Sequence, residues 1–376
     1  MTIPFINLNA QYIDNKAAID SAIMKVLEHG QYIMGPEVKE LETQLADFIG
    51  VEHVLACSSG TDALVLPLMT QNLNKGDAVF TSPFTFFASA EAISLAGATP
   101  VFVDVDPITY NLDPNDLKVK IQHVLNEAKL IPKAIVPVDL FGLAADYDKI
   151  TSIASEHKLF LLEDAAQSFG AAYKGVKACS FGDAAATSFY PAKPLGCYGD
   201  GGAIFTNNSD MYEELVSLRV HGQAMSGDKY DNVRIGLNAR MDTIQAAILL
   251  EKLKTYDFEI EQRNIAAELY SSNLDDTVTT PTLPDGQGSV WAQYSIQVDN
   301  RDKLKADLAE KGIPTAVFYP IPIHLSSAYS HLGYSQGDFP ISESISKKII
   351  SLPMHPYLDE ATIKTICDAV NASIGK

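Results

Sequence analysis

Thr187-Ser-Phe-Tyr-Pro-Ala-Lys193-Pro-Leu-Gly-Cys-Tyr-Gly-Asp-Gly-Gly202-Ala-Ile-Phe205 is the stretch around which the chain is organised. It places Lys193 in a loop between an apolar strand that carries Ser188 and a cluster of four glycines. A residue that precedes a proline avoids the α region, so Lys193 is not expected to continue a helix. Glycines allow positive φ and let the backbone come close to a bound group. The stretch predicts an amine at the end of a sheet, suited to forming a Schiff base with a carbonyl. An ordinary surface lysine is the alternative interpretation.

The composition is that of an ordinary globular protein. The 376 residues suffice for one large domain and a smaller one, and 47% of them are apolar and 20% charged. No apolar run approaches the roughly 18 residues of a membrane helix, and the N-terminus lacks the layout of a signal peptide. The four cysteines are scattered, without zinc-binding spacing. We therefore expect a cytoplasmic protein without a bound metal.

The formal net charge of −19 limits the classes of ligand. Such a charge argues against binding to nucleic acid or to anionic membrane surfaces. An anionic small molecule would have to be held by local donors, such as helix N-termini, glycine-rich turns and a few arginines.

The N-terminal part of the chain alternates between strands and helices, after two helices within residues 14–50. Apolar strands separated by helices indicate a mostly parallel sheet that helices cover on both faces. The alternation stops near residue 255, so we expect a large α/β domain over residues 1–254 and a small α+β domain over residues 255–376. Within the small domain, the pattern predicts strands over residues 290–298 and 315–318.

Two polar features follow strands of this alternating part. Ser58-Ser-Gly60-Thr61-Asp62 opens a helix, whose free N–H groups and positive dipole end can seat a phosphate. A plain helix cap is the alternative interpretation. Asp164 ends another strand, at the edge where parallel sheets bind ligands. A buried carboxylate there needs a cationic or hydrogen-bonding partner, although capping the following helix would also explain it.

Together, the Ser-Gly-Thr turn, Asp164 and Lys193 match the requirements of pyridoxal phosphate. The phosphate of this cofactor needs N–H and hydroxyl donors, its pyridinium nitrogen needs a carboxylate, and its aldehyde needs a lysine. An Asp beside the ring nitrogen keeps that nitrogen protonated, because an opposite charge at contact shifts a pKa by roughly 1–3 units. The three features together therefore predict a pyridoxal phosphate enzyme.

The sequence resembles the sugar-nucleotide aminotransferases of the DegT–DnrJ family over nearly its whole length. The similarity is carried by Ser58-Ser-Gly60-Thr61-Asp62-Ala-Leu, Pro83-Phe-Thr-Phe86, Glu163-Asp164-Ala-Ala-Gln167-Ser, Ser188-Phe-Tyr-Pro-Ala-Lys193, Gly199-Asp-Gly-Gly202-Ala and Asn238-Ala-Arg240-Met-Asp-Thr-Ile-Gln-Ala-Ala. The resemblance implies the fold-type-I architecture, with a mostly parallel seven-stranded sheet between helices and a smaller α+β C-terminal domain. It also implies transamination, in which glutamate gives its amine to the cofactor and a nucleotide-linked keto sugar then receives it.

The resemblance implies roles for individual residues. Lys193 would bind the cofactor covalently and move protons at the substrate carbon, and Asp164 would pair with the pyridinium nitrogen. Gln167 would bond the ring oxygen O3′, and Phe86 would stack on the ring unless it is a plain core residue. The phosphate ligands would be Gly60, Thr61, Ser188 and, from the other subunit of an obligate homodimer, Asn238. Relatives with a histidine in place of the lysine are dehydratases, and Lys193 argues against that branch.

The C-terminal half is most similar to one branch of the family, at residues 228–236, 291–294 and 351–359. That branch makes UDP-2-acetamido-3-amino-2,3-dideoxy-glucuronic acid from its 3-keto precursor, for bacterial surface polysaccharide. A uronate carboxylate needs a cation, and Arg240 is the candidate, with Tyr319 and His324 nearby. Arg240 could equally bind the carboxylate of glutamate. A capping or core histidine is the alternative interpretation of His324.

One position departs from that branch, which can carry a histidine where this chain has Phe318. His324 instead matches the Pro-x-His pattern of the wider family, including enzymes that act on dTDP-3-keto-hexoses. A dTDP-3-keto-6-deoxyhexose or a UDP-4-keto sugar is therefore the alternative substrate. A non-catalytic sensor of cofactor and sugar is a further alternative, since fold does not fix function. A sensor that had lost catalysis would be expected to lose Lys193 or Asp164, and both are present.

Overall fold

A computed structural model describes residues 3–224 and 230–375. Asp228 and Lys229, which open one of the segments similar to the UDP-glucuronate branch, lie outside the described residues. The helices are α1 (Leu8–His29), α2 (Pro36–Ile49), α3 (Gly60–Met69), α4 (Ala88–Leu95), α5 (Pro114–Glu127), α6 (Tyr147–His157), α7 (Ser209–Leu218), α8 (Thr243–Leu253), α9 (Tyr256–Asn273), α10 (Arg301–Glu310), α11 (Pro340–Lys348) and α12 (Glu360–Ile374). Within the described residues, no helix has the length and apolar character needed to cross a membrane.

Strands and short helical turns complete the chain. The strands are β1 (His53–Cys57), β2 (Asp77–Thr81), β3 (Thr99–Phe102), β4 (Ile131–Val136), β5 (Phe160–Asp164), β6 (Ala172–Tyr173), β7 (Val176–Lys177), β8 (Ala184–Ser188), β9 (Gly202–Thr206), β10 (Gln287–Gly288), β11 (Tyr294–Gln297) and β12 (Ile349–Leu352). Turns of 3-10 helix cover Leu140–Gly142, Ile323–Leu325 and Ser327–Leu332.

Seven strands form one sheet in the order β1-β9-β8-β5-β4-β2-β3. Strand β9 runs antiparallel to its neighbours β1 and β8, whereas the other adjacent strands pair in parallel. The predicted mostly parallel seven-stranded sheet is therefore confirmed. The carboxyl ends of parallel strands share one edge of a sheet, where ligands bind in such folds. That edge carries Asp164 and Ser188.

Helices cover both faces of the sheet, as the apolar strands predict. Strand β9 shows the two layers, because successive side chains of a strand point to opposite faces. Ile204 packs in a cluster with Leu66 of α3 and Leu215 of α7, whereas Phe205 packs in a cluster with Leu41 of α2. The core of this part of the chain therefore lies in two apolar layers on either side of the sheet.

A separate apolar cluster joins the C-terminal elements. It contains Tyr270 of α9, Tyr294 of β11, Leu308 of α10, Ile350 of β12 and Val370 of α12. Strands β11 and β12 form an antiparallel pair, so the mixed helix and strand content expected of this part is present. Strand β10 pairs with β6 of the N-terminal part. The division of the chain after residue 254 stays a prediction.

The predicted strand over residues 290–298 is wrong in extent, since only Tyr294–Gln297 forms a strand. The residues before it pack on a turn of the N-terminal part instead. The N–H of Val290 donates to the carbonyl oxygen of Gly142 at 3.0 Å. Trp291 then takes a φ of 47°, which interrupts the extended backbone.

The predicted strand over residues 315–318 is wrong. Within this segment a single isolated bridge joins Ala316 to Ser351. The strand that pairs with β11 is β12, a short apolar run that the sequence pattern did not distinguish from the adjoining helices.

Candidate active site

The Lys193 loop connects two neighbouring antiparallel strands. Strand β8 ends at Ser188, β9 begins at Gly202, and these two residues pair across the sheet. The N–H of Cys197 donates to the carbonyl oxygen of Phe189 at 2.8 Å, which closes the loop around Lys193. The lysine therefore lies at the end of a sheet on a loop that carries its own hydrogen bonds, as the sequence predicts.

The first turn of helix α3 packs against the end of β8. A Cβ atom on Gly60 would lie 2.6 Å from the Cβ of Ser188, so glycine is required for this close approach. Ser59 is the N-cap, since its hydroxyl accepts the N–H of Asp62 at 3.1 Å. The first N–H groups of a helix have no acceptor within it, and in α3 these are the N–H groups of Gly60 and Thr61. With the Ser188 hydroxyl alongside, this corner offers the donors that an anion needs.

Asp164 is held by neutral hydrogen-bond donors at the end of β5, with 3% of its surface exposed. Its carboxylate accepts the Ser89 hydroxyl at 2.7 Å and the N–H of Ala166 at 3.2 Å. The Ser89 oxygen lies 3.1 Å from the hydroxyl oxygen of Thr85. Burial raises the pKa of the Asp164 carboxyl, while Ser89, Ala166 and the Lys193 amine oppose the rise. A carboxylate in this state favours a cationic partner, such as a protonated ring nitrogen.

The environment of Lys193 favours a reactive amine. Burial lowers the pKa of its ammonium group, and the attraction of the Asp164 carboxylate partly opposes this. A lowered pKa increases the fraction of neutral amine, which is the nucleophilic form. This environment supports the interpretation of Lys193 as a nucleophile over that of an ordinary surface lysine.

Gln167 has a fixed amide orientation and contacts Tyr319. Its Oε1 accepts the N–H of Phe141 at 2.7 Å, and its Nε2 donates to the Tyr319 hydroxyl at 3.1 Å. A backbone N–H can be given only to the amide oxygen, so the nitrogen must face Tyr319. Burial raises the pKa of Tyr319, so this hydroxyl keeps its proton. Two residues singled out in the sequence, Gln167 and Tyr319, are therefore in direct contact.

Phe86 is not a core residue, since 57% of its surface is exposed. Its ring centroid lies 6.3 Å from that of Tyr319, which in turn lies 6.2 Å from the buried ring of Phe84. Phe86 thus stands at the edge of an aromatic group beside Gln167. An exposed ring in this position can stack on a flat ligand.

Asn238 and Arg240 form one unit near the start of α3. The Nε of Arg240 donates to Oδ1 of Asn238 at 2.8 Å. The residue between them, Ala239, accepts the N–H of Ser58 at 3.1 Å, which places the segment beside the Ser-Gly-Thr turn. Asn238 is exposed and Arg240 is half-buried.

His324 is buried between Glu343 and Phe339. Its side chain is fully buried, its Nε2 lies 3.2 Å from Oε1 of Glu343, and its ring lies 4.6 Å from that of Phe339. Burial lowers the pKa of His324, and Glu343 partly opposes this. The role of His324 as a substrate ligand stays a prediction, and no hydrogen bond joins it to Tyr319 or Arg240 within the described residues.

Two contributors to the site were missed in the sequence. Ser89 supplies a hydroxyl to Asp164, and the backbone N–H of Phe141 orients Gln167. Ser89 belongs to no motif, and nothing in its neighbourhood in the sequence links it to an aspartate in a later strand. Backbone N–H groups carry no residue type, so no sequence signal could have pointed to Phe141.

The donor set fits pyridoxal phosphate. A helix N-terminus with a serine hydroxyl suits its phosphate, a buried carboxylate suits its ring nitrogen, and an amine of lowered pKa suits its aldehyde. An amide nitrogen and an exposed aromatic ring lie next to these groups, in Gln167 and Phe86.

Comparison with known proteins agrees with this chemistry. The model of the DegT/DnrJ/EryC1/StrS aminotransferase family matches residues 14–371. The UDP-2-acetamido-2-deoxy-3-oxo-D-glucuronate aminotransferase of Pseudomonas aeruginosa is 46% identical over 98% of this chain and 99% of its own. The dTDP-3-amino-3,6-dideoxy-alpha-D-galactopyranose transaminase of Aneurinibacillus thermoaerophilus is 39% identical over 98% of this chain and 99% of its own.

Solved structures show the same fold. A DegT DnrJ EryC1 StrS aminotransferase from Brucella abortus is 52% identical and superposes with a TM-score of 0.96 over the whole of both chains. A putative sugar aminotransferase from Streptococcus pneumoniae, solved in its PLP form, is 26% identical with a TM-score of 0.88 over 96% of each chain. The fold-type-I architecture is confirmed, and the alternative of a non-catalytic sensor is set aside. The chain is a pyridoxal phosphate-dependent sugar aminotransferase and belongs to the DegT/DnrJ/EryC1/StrS aminotransferase family.

Proposed function

We propose that the enzyme transfers the amine of glutamate to the C3 ketone of UDP-2-acetamido-2-deoxy-3-oxo-glucuronic acid. The product would be UDP-2-acetamido-3-amino-2,3-dideoxy-glucuronic acid, for bacterial surface polysaccharide such as O-antigen. The observation that carries the transamination is that the buried carboxylate of Asp164 and the loop of Lys193 lie at the ends of two adjacent parallel strands, β5 and β8. The substrate is supported by the 46% identity to the P. aeruginosa aminotransferase of that keto sugar.

The residues of the site would supply binding, orientation and proton transfer. When bound, pyridoxal phosphate supplies the electron sink for making and breaking bonds at the substrate carbon. Asp164 would balance the charge on the ring nitrogen, with its carboxylate oriented by Ser89. Lys193 would bind the cofactor, and its amine would carry the proton to and from the substrate carbon. Gln167 would hold the ring oxygen, and Phe86 would cover one ring face. The phosphate would be held by Gly60, Thr61 and Ser188, and by an Asn238 contributed from the other subunit.

Arg240 is the proposed ligand for the substrate carboxylates. Its Nε is occupied by Asn238, which leaves the terminal N–H groups of the guanidinium for a paired contact with a carboxylate. Glutamate and the uronate would occupy the site in turn, so one arginine can serve both. Tyr319 would contribute its hydroxyl, which contacts the amide of Gln167. If His324 also binds the sugar, it would do so through Nδ1, which has no hydrogen-bond partner among the described residues, since Nε2 lies against Glu343.

We further propose a homodimer in the cytoplasm. Helix α1 and the loop after it expose apolar side chains that a second copy would cover, namely Ile13, Met24, Leu27, Tyr32 and Ile33. In such a dimer the exposed Asn238 would reach the phosphate of the partner site. All four cysteines are free and buried, in keeping with a reducing compartment.

The proposed substrate is tested by running the reaction backwards. The cofactor-loaded enzyme is mixed with each amino-sugar nucleotide, and the loss of the visible colour of the bound cofactor is followed. Loss of colour with the UDP-3-amino-glucuronate and not with neutral dTDP-3-amino-6-deoxyhexoses is the expected result. Loss of colour with neutral sugars alone would favour the dTDP-sugar alternative, which the 39% identity to the A. thermoaerophilus enzyme supports. A Lys193→Ala variant, loaded in parallel, shows how much of the change needs the lysine.

A further inference from the structure

A second lysine, Lys252 on helix α8, is buried beneath the loop that carries Lys193. Only 1% of its surface is exposed, and its Nζ donates to the carbonyl oxygen of Gly196 at 2.6 Å. The same Nζ lies 4.3 Å from the ring centroid of Tyr198. Within residues 3–224 and 230–375, this amine forms no ion pair with a carboxylate, and the Gly196 carbonyl is its hydrogen-bond acceptor. The contact lies three positions after Lys193 in the same loop.

Gly196 packs closely against the turn that the Lys193 N–H closes. The N–H of Lys193 donates to the carbonyl oxygen of Tyr190 at 2.8 Å. A Cβ atom on Gly196 would lie 2.6 Å from that same oxygen and 2.6 Å from the carbonyl oxygen of Pro191. Gly196 is therefore packed directly on the turn that Lys193 closes, so a shift of its carbonyl would move the reactive amine.

Helix α8 also holds the loop at a second point. About two turns before Lys252, Gln245 accepts the N–H of Tyr198 through its Oε1 at 2.9 Å. Its Nε2 would lie 2.9 Å from a Cβ atom on Gly199, so the loop backbone is pressed against this amide. Helix α8 thus holds the loop at two nearby points: Lys252 donates to Gly196, and Gln245 accepts from Tyr198.

The burial of Lys252 opposes folding in proportion to the charge it carries. Burial lowers the pKa of Lys252 to about 8, and Glu259 partly opposes the shift. An apolar side chain of similar length would fill the same space without this penalty. What such a side chain could not supply is the hydrogen bond to Gly196.

We propose that Lys252 is a positioning residue for the transamination, which holds the Lys193 loop in its reactive geometry through the Gly196 carbonyl. Gln245 is its partner in this task. Among the described residues, neither side chain hydrogen-bonds to Arg240, Tyr319 or His324, so their effect reaches the reaction through the backbone of the loop. The inference rests on the proposed role of Lys193 as the reactive amine.

The test compares Lys252→Met with Lys254→Met in the cofactor-loaded enzyme. Lys254 is an exposed lysine on the C-terminal side of the same helix, paired with Glu251, and is the matched control. Amide hydrogen exchange is measured in the peptides that cover residues 189–199, together with kcat and KM for glutamate. We expect Lys252→Met to accelerate exchange in these peptides about 10-fold, as the loss of one hydrogen bond would do. We expect kcat to fall by up to about 100-fold with KM unchanged, since a misplaced reacting group lowers the rate without removing a substrate contact.

The outcomes separate this inference from the role of Lys193. Wild-type exchange and wild-type kcat in Lys252→Met would overturn the positioning role. Faster exchange over the whole chain would mean that the variant destabilises the fold generally, which also overturns it. If Lys252→Met does not fold, Gln245→Leu provides the same measurement, and unchanged exchange of residues 189–199 in that variant counts against the inference. Faster loop exchange in Lys252→Met together with an active Lys193→Ala enzyme would refute the role of Lys193 instead.

Discussion

Ser89 and Asp164, 75 positions apart in the chain, are joined by a 2.7 Å hydrogen bond in the buried floor of the site. Removing the hydroxyl in Ser89→Ala should weaken cofactor binding by about 10-fold or more, because a hydrogen bond to a charged group contributes about 1.5–3 kcal/mol. The change also removes a donor that stabilises the carboxylate, so the pKa of Asp164 should rise further. Equilibrium dialysis against pyridoxal phosphate measures the affinity. Ser89→Thr keeps the hydroxyl and should bind nearly as the wild type does; equal weakening by both variants would refute the role of the hydroxyl.

Asp164→Asn should separate stability from activity. Turnover should fall by about 10²–10⁴-fold, the range in which assistance to proton transfer usually lies. The cofactor-free protein should not lose stability, because burial raises the pKa of Asp164 above its value in the unfolded chain. A carboxyl of this kind reduces stability as the pH rises from about 3.9 through the raised pKa, and an amide does not. Thermal unfolding at pH 4 and pH 8 should therefore favour the variant more at pH 8. A lower Tm for the variant at both values would contradict this account.

Lys193→Ala should abolish turnover and leave the cofactor bound without a covalent bond. Reduction with borohydride followed by peptide mass spectrometry should label Lys193 in the wild type and nothing in the variant. Transamination retained by the Lys193→Ala variant would refute the assigned mechanism.

Arg240→Ala should weaken the binding of a carboxylate-bearing substrate by about 2–5 kcal/mol if the pair is desolvated. Separate half-reactions show which carboxylate is involved, because glutamate is used in the first and the keto sugar in the second. Arg240→Lys keeps the charge and loses the fork geometry, so it should recover part of the affinity. Unchanged affinity for both substrates would remove Arg240 from the site.

The two interpretations of His324 predict different results for His324→Asn. Packing against Glu343 favours a structural role, with lower stability and an unchanged KM for the sugar. A ligand role would raise that KM. The structural role also has a pH signature: burial lowers the pKa of His324, so the wild type should lose stability as the pH falls below about 6.5. The asparagine side chain does not titrate in this range, so the variant should lack that part of the acid destabilisation in thermal unfolding.

The sequence predicted most of the sheet because most of its strands are rich in apolar residues and are separated by helices with clear ends. Helix α6, for example, has clear ends, since Asp146 caps its start and Lys158 ends it in the left-handed region. The errors lie where tertiary contacts, and not the local sequence pattern, determine the backbone conformation. Val290 and Trp291 have the composition of a strand, yet they bond and pack on the turn at Gly142.

The candidate site was predictable where the chemistry depends on residue type and was hidden where it depends on position. For Lys193, Asp164 and the turn at Gly60, the residue type and the neighbouring sequence are enough to predict a role in the site. The hydroxyl of Ser89 matters only because α4 brings it against β5, which no local pattern reveals. From the sequence alone, Lys252 resembles an ordinary exposed lysine of an amphipathic helix. Only the structure shows that it is buried.

The single antiparallel strand of the large sheet has a consequence for how the protein can be re-engineered. Because β9 reverses direction, Lys193 lies on a hairpin between adjacent strands, whereas parallel neighbours require long crossovers. The lengths of those crossovers can therefore change without changing the position of Lys193, because its loop is held by β8 at one end and by β9 at the other. Circular permutants with new ends in a crossover on the opposite edge should keep this loop intact. New ends between Phe189 and Gly201 would cut it and leave a foldable sheet that presents no fixed nucleophile.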